Sequence, residues 1–228
     1  MTAAPIHLAG ERLMLDPSGA LHWPATSTLV VSDLHLEKAS SLARKGTLLP
    51  PRDTHTTLDR LTLLLRRYQP RIVVALGDSF HDSDGPTRLP TGEIARLTVM
   101  TAAHRFVWVR GNRDPALPAG VGGDHVAEFA TARLVFRHTA VSGATGEISG
   151  HYHPKASNPA LLGTVPSPCF VADGRRIMLP AFGAYAGGLD VHDPAIMRLF
   201  PRGARVFLLG QQRLSSFVLN KAQRAATG

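Results

Sequence analysis

Apolar residues fall in short bursts along this chain, and most bursts stop on a polar residue or a glycine. Leu29-Val30-Val31 runs into Ser32-Asp33, Ile72-Val73-Val74-Ala75-Leu76 into Gly77-Asp78, and Phe106-Val107-Trp108-Val109 into Arg110-Gly111-Asn112. Leu134-Val135-Phe136 runs into Arg137-His138, and Ile148 lies just before Gly150-His151. Runs of this length, rich in β-branched and aromatic residues, predict strands. Further bursts at 170–172, 176–179, 206–209 and 217–219 have the short spacing of an antiparallel sheet.

Two stretches carry a helical period instead. Over 52–68, Leu58, Leu61 and Leu65 recur on one face, Pro50-Pro51 bars extension upstream, and Pro70 closes the far end. Arg60, Arg66 and Arg67 fall on or near the opposite face, which predicts a solvated surface. Over 92–103, Ile94, Leu97 and Met100 are spaced by three, as in a second helix. Glycine and proline mark 85–92 and 115–124 as loops, neither long enough to separate domains. The pattern predicts a single α/β domain over residues 1–228, strands at its centre and helices outside.

Composition changes this picture in three places. Lys plus Arg total 25 against 17 for Asp plus Glu, a net charge of +8, which points to an anionic partner such as nucleic acid or to a solvated surface. The lone Cys169 excludes an internal disulfide and a Cys-rich zinc site. No apolar run approaches the ~20 residues of a membrane-spanning helix, and residues 1–10 lack the basic and apolar regions of an export signal. A cytoplasmic protein is therefore expected.

The residues that end the strands carry the candidate chemistry. In open α/β sheets, ligands bind beyond the carboxyl ends of strands, where side chains from several loops converge. Successive strand ends deliver Asp33 and His35, then Asp78, Asn112, His138, and finally His151 and His153. These are oxygen and nitrogen donors with no sulfur. Each alone is weak, since Gly77-Asp78 and Gly111-Asn112 are ordinary turn sequences. A His-x-His pair on extended backbone would point both rings to one side. The ordered set, each member following a β-rich run, favours a shared site.

Asp33-Leu34-His35, Gly77-Asp78, Gly111-Asn112-Arg113-Asp114, His138 and Gly150-His151-Tyr152-His153 resemble the motifs of the calcineurin-like metallophosphoesterases. Flanking phrases narrow the resemblance to the DNA-ligase-associated group: Leu21-His22-Trp23-Pro24, Leu36-Glu37-Lys38, Ser79-Phe80-His81-Asp82 and Leu179-Pro180-Ala181-Phe182-Gly183-Ala184-Tyr185. The resemblance implies a four-layer αββα sandwich, two mixed β-sheets flanked by helices. It implies two divalent metals, manganese foremost with iron or zinc also suited to the donors. It further implies phosphodiester hydrolysis, a DNA endonuclease role in repair, and a DNA ligase and helicase or nuclease proteins as partners.

Carried over by position, Asp33, His35 and His153 resemble the ligands of one metal. Asn112, His138 and His151 resemble those of the other, and Asp78 the bridging carboxylate. His138 is followed by Thr139 where the family has glycine, and His104 and His125 compete for its role from a helix end and a Gly-rich loop. His7, His22, His55 and His192 have no partner motif, and His81, just past Asp78, reads equally as a substrate contact or a bystander.

One position departs from the family. Its third motif has histidine where this chain has Arg113, and arginine binds phosphate but stays protonated, so it is no general acid near neutral pH. Arg113 is expected to act on substrate, with Asp114 orienting it or else capping the turn that follows. The same variant occurs in UDP-diacylglucosamine pyrophosphohydrolases, so hydrolysis of a nucleotide-linked lipid or small metabolite is the enzymatic alternative. A metal-binding repair scaffold with little activity is the other. A lipid substrate calls for an apolar cap, and none stands out between Val121 and Glu147. Lys38, Arg44 and Lys45 follow the first motif and are candidates to line a groove for DNA.

Overall fold

The computed structural model describes residues 2–114, 117–131, 133–158 and 163–219. Its first sheet contains, in spatial order, β1 (Ala4–Leu8), β2 (Glu11–Leu15), β3 (Leu21–Trp23), β4 (Thr28–Ser32), β5 (Ile72–Leu76), β6 (Arg105–Val109) and β7 (Asp124–Val126). Strands β1 to β4 form an antiparallel meander, and β4 to β7 run parallel. Four helices lie in the crossovers: α1 (Lys38–Ala43), α2 (Asp53–Tyr68), α3 (Gly85–Arg88) and α4 (Thr91–Ala103).

The rest of the chain builds the second sheet from β8 (Phe129–Ala130), β9 (Val135–Arg137), β10 (Glu147–Ser149), β11 (Lys155–Asn158), β12 (Gly163–Ala172), β13 (Arg176–Met178), β14 (Ala204–Leu209) and β15 (Leu214–Leu219). Its order is β15-β14-β12-β13-β10-β9-β8, with β11 paired to β12. Strand β10 is parallel to both β9 and β13, and the remaining pairs are antiparallel. Both sheets are therefore mixed. A short helix, α5 (Pro194–Met197), precedes β14.

Strand alternation explains the layers. Val30, Val74 and Val107 point inward against Phe136, Ile148, Phe170 and Ile177 of the second sheet. Their neighbours Leu29, Val31, Val73 and Ala75 point outward, under Leu58, Leu61 and Leu65 of α2 and Leu97 and Met100 of α4. With a period of two, one strand serves two cores. The outer face of the second sheet, with Val171, Met178 and Val206, is covered by Ile196, Leu199 and Phe200 from α5 and the segment after it. The expected αββα sandwich is present, its fourth layer thin.

The long helices match the sequence reading to within a residue, but the meander β1–β3, helix α1 and the short elements α3 and β7 were not anticipated. In β1 and β2 polar residues interrupt the apolar ones and exposed positions alternate with covered ones, so no continuous apolar burst marks them. Of the expected solvated arginines of α2, Arg66 and Arg67 are exposed, and Arg60 needs correction. Arg60 is largely buried, donating to the carbonyls of Phe182 and Ser18 at 2.7 Å each and lying over the Phe182 ring. Arg67 pairs with the fully buried Asp16. No helix among the described residues is long and apolar enough to cross a membrane.

Candidate metal centre

The carboxyl ends of β4, β5 and β6 in one sheet and of β9 and β10 in the other converge at one edge of the sandwich. The site is thus built across the two sheets. Asp33, His35, Asp78, His151 and His153 all have positive φ, between 44° and 73°. Side chains larger than glycine rarely adopt this region, and holding one there costs on the order of 1–3 kcal/mol. The surroundings enforce it: the His35 N–H donates to Asp78 O at 2.9 Å, and the N–H groups of Phe182 and Gly183 cap Ser32 O and Asp33 O. The His151 N–H donates to Asp33 Oδ2 at 3.0 Å. Close approach also needs glycine, since a Cβ at Gly111 would overlap Asp78 and one at Gly150 would overlap Ser32 and Asp33.

The left-handed conformation changes how the His151/His153 pair works. The rings are not aligned on extended backbone as the spacing suggested. His153 Nε2 lies 3.2 Å from Asp33 Oδ1 and 3.3 Å from His35 Nε2. His151 Nδ1 instead lies 3.1 Å from His138 Nε2 and 3.5 Å from Asn112 Nδ2. The two imidazoles therefore serve different groups. One gathers Asp33, His35 and His153; the other gathers Asp33, Asp78 and His138, with ligand atoms within 4.8 Å of one another. Asp33 is common to both groups, whereas Asp78 falls in the second alone. The carbonyl of Leu76, 3.0 Å from His138 Nδ1, holds that ring's proton and leaves Nε2 free as a ligand, 3.5 Å from Asp78 Oδ1. His104 instead contacts Pro70 O and His125 lies in β7.

The electrostatics suit cations. Burial pushes the Asp33 carboxyl up, but His153, His138 and the Ser32 hydroxyl outweigh it and hold it below the ordinary range. Burial pushes His35 down to about 3 despite Asp33, and burial with His138 lowers His151. These groups are thus carboxylates and neutral imidazoles, the forms that ligate metal. Asp33 Oδ1 and His35 Nδ1 are buried with no hydrogen-bond partner among the described residues. Buried polar atoms left open in this way, with ionised oxygen beside neutral nitrogen, fit divalent ions.

Asp114 does not orient Arg113. Its Oδ1 accepts the N–H groups of Ser79 and Phe80 and its Oδ2 that of Gly111. The carboxylate thus ties the Asp78 loop to the Asn112 loop. Burial raises its pKa against the pull of these donors. Arg113 donates through its backbone to Asp78 Oδ1 at 3.0 Å, while its half-exposed guanidinium passes 3.7 Å from Asp78 Oδ2 and reaches His81 O.

Above the ligands opens a cavity of about 440 Å³, bordered by Lys38, His81, Arg113, Gly187 and Gly188. Among the described residues no apolar side chain lines it. Burial lowers the Lys38 pKa, and the charges of Arg113 on the same rim and of Lys155 beyond it lower it further. Lys155 was missed in the sequence; its only signal is its place two residues past His153. Arg44, expected in a groove, pairs with Asp84 instead.

The model of the calcineurin-like phosphoesterase family matches residues 26–175, and the chain belongs to that family. Its fold and its family make it a metal-dependent phosphoesterase. The crystal structure of Pseudomonas putida nuclease MPE is similar, with 27% identity and a TM-score of 0.75, covering 94% of this chain and 100% of that one. A phosphoesterase from E. coli, Yfce, is 15% identical with a TM-score of 0.44 over 85% of this chain and 99% of its own, too distant to argue from. No curated protein matches the chain.

Proposed function

We propose that the chain, acting as one catalytic domain, is a dinuclear-metal phosphodiesterase that cleaves DNA in repair, alongside a DNA ligase and helicase or nuclease partners. Asp33, His35 and His153 would hold one ion and Asn112, His138 and His151 the other, with Asp78 bridging. Manganese is the metal we assign, and iron or zinc would suit the same donors. Bound ions of this kind activate a water and neutralise charge on the phosphoryl oxygens. Around them the chain's own groups bind the substrate: Arg113 and Lys38 take phosphate oxygens at the rim. Asp114 keeps the Asp78 and Asn112 loops in register. The observation that carries the DNA reading is likeness to a nuclease along that protein's whole length. The cation-rimmed cavity, with no apolar side chain among its described lining residues, supports it.

The test is a comparison of manganese-loaded protein on single-stranded DNA, duplex DNA, a UDP-linked lipid and a bis-aryl phosphate. DNA cleavage should dominate, DNA binding should weaken steeply with salt through counterion release, and elemental analysis should find two ions per chain. Asp78→Ala should lower occupancy at both positions. Faster turnover of the UDP-linked lipid would transfer the assignment to a pyrophosphohydrolase. Full metal occupancy with no turnover of any substrate would leave a scaffold.

A further inference from the structure

The end of the second sheet away from the metal centre holds another polar site. Arg175 and Arg176 lie at the turn that opens β13, Arg198 follows α5, and Arg202 sits in the turn before β14. Together with Asp173 and the loop at 142–143 they line a cavity of about 170 Å³. That is well above the roughly 10–15 Å³ that one water needs.

Four arginines line this space with Asp173, Leu199 and Pro201, and Arg176 among them is paired to Glu147. Two of them build the wall. Arg176 is buried, 3.5 Å from Glu147 Oε2, and donates to the carbonyls of Val141 and Ala144. Arg175 donates to Gly143 O at 2.7 Å. These bonds fasten the 141–144 loop against the β13 turn. The other two arginines are left open. Arg198 reaches only the carbonyl of Ala195, at 3.5 Å, and Arg202 makes no hydrogen bond or ion pair among the described residues. Asp173 forms no ion pair with either among the described residues; its Oδ1 accepts the N–H groups of Arg175 and Arg176. A neighbouring depression of about 640 Å³ shares Asp173 and Arg202 and adds Arg205, so the cationic surface continues.

Arg175, Arg198 and Arg202 are solvent-exposed, and like charges gathered on one surface favour an anion between them. The guanidinium fork matches phosphate oxygens bidentately and sheds water more readily than an ammonium. We infer that this cavity is a second, non-catalytic phosphate-binding site, with Arg198 and Arg202 as its ligand-contacting residues. It lies at the opposite end of β10 from the metal centre. Glu147, paired to Arg176, begins that strand, and His151 follows its end. Four residues at ~3.3 Å each separate them by roughly 13 Å. One phosphate cannot fill both sites, whereas a polynucleotide carries a phosphate to each. The inference stands whether or not the substrate of the metal centre is DNA.

The test uses metal-free, full-length protein titrated with inorganic phosphate and followed by amide NMR, beside single-stranded DNA of about 20 nucleotides. In wild type, phosphate should shift the Gly143 and Arg175 amides. The Arg198→Ala/Arg202→Ala double variant should weaken that response about tenfold or more, the loss of one charged hydrogen bond. Its metal-loaded turnover of a bis-aryl phosphate should match wild type. Arg202→Ala alone removes a side chain with no protein partner among the described residues, so folding is preserved and part of the loss should remain. If DNA affinity falls with phosphate affinity, the source is a polynucleotide; if DNA affinity holds, it is a free anion. Unshifted amides in wild type, or equal shifts in the double variant, overturn the inference.

Discussion

Arg113 replaces a group that titrates near neutral pH with one that stays charged, and its surroundings limit what the replacement does. Its backbone N–H braces Asp78, while its guanidinium stands half exposed on the cavity rim. Substitution by alanine keeps the backbone bond and removes only the rim charge. Arg113→Ala should therefore lower turnover by on the order of 10²–10³ with metal content intact, the scale for loss of one charged donor in the transition state. Arg113→Lys should recover part of it, lacking the planar fork. Asp114→Ala should behave differently. It frees three N–H groups in the loops that carry Asp78 and Asn112, so metal occupancy should fall together with turnover. Elemental analysis beside kinetics separates the two; near wild-type turnover for Arg113→Ala would reduce that residue to a surface group.

Helix α2 shows how an element remote from the ligands holds them. Its start follows Pro50-Pro51 and Asp53 Oδ2 accepts the Ala39 N–H of α1 at 2.9 Å. Its end turns at Gln69, left-handed with φ 44°, before Pro70. Between them Arg60 clamps the carbonyls of Ser18 and Phe182, and the Phe182–Gly183 backbone in turn caps the Asp33 loop. Arg60→Ala should cost about 1.5–3 kcal/mol of stability, the range for hydrogen bonds to a charged group, and should weaken metal binding. Urea midpoints on metal-free protein measure the first effect. An unchanged midpoint would mean that Arg60 is the solvated residue its sequence position suggested.

For the whole molecule, the metal centre makes stability depend on pH with a definite sign. An imidazole in the unfolded chain titrates near 6.5, whereas burial holds His35 near 3 in the fold. Above pH 6.5 the residue is neutral in both states and contributes no penalty. Below it the unfolded chain takes up a proton that the folded chain refuses, so acid favours unfolding. Metal-free protein should lose stability from pH 6.5 toward 5, with a slope approaching about 1.4 kcal/mol per pH unit for each such group. His35→Asn should flatten part of that slope. A denaturation midpoint that stays constant across this window in wild type would show that His35 is protonated in the fold.

The core strands, both long helices and every candidate ligand were legible in the linear chain, because hydrophobic period and the residues that end strands are local properties. Asp33, Asp78, Asn112 and His138 each announce themselves by the apolar run before them. Local pattern could not show that these runs divide between two sheets, since β4 to β6 and β9 to β10 look alike as sequences. Nor could it show that Asp33 touches both ligand groups or that His151 and His153 face different ones, because left-handed backbone is imposed by neighbouring loops. The meander β1–β3 escaped because polar residues interrupt its apolar ones and leave no burst to read. The roles of Arg60, Asp114 and Lys155, and the gathering of Arg175, Arg176, Arg198 and Arg202, were decided by tertiary structure alone. A charge becomes a clamp, a wall or an open site according to what the fold brings within hydrogen-bond reach, and sequence separation carries no record of that distance.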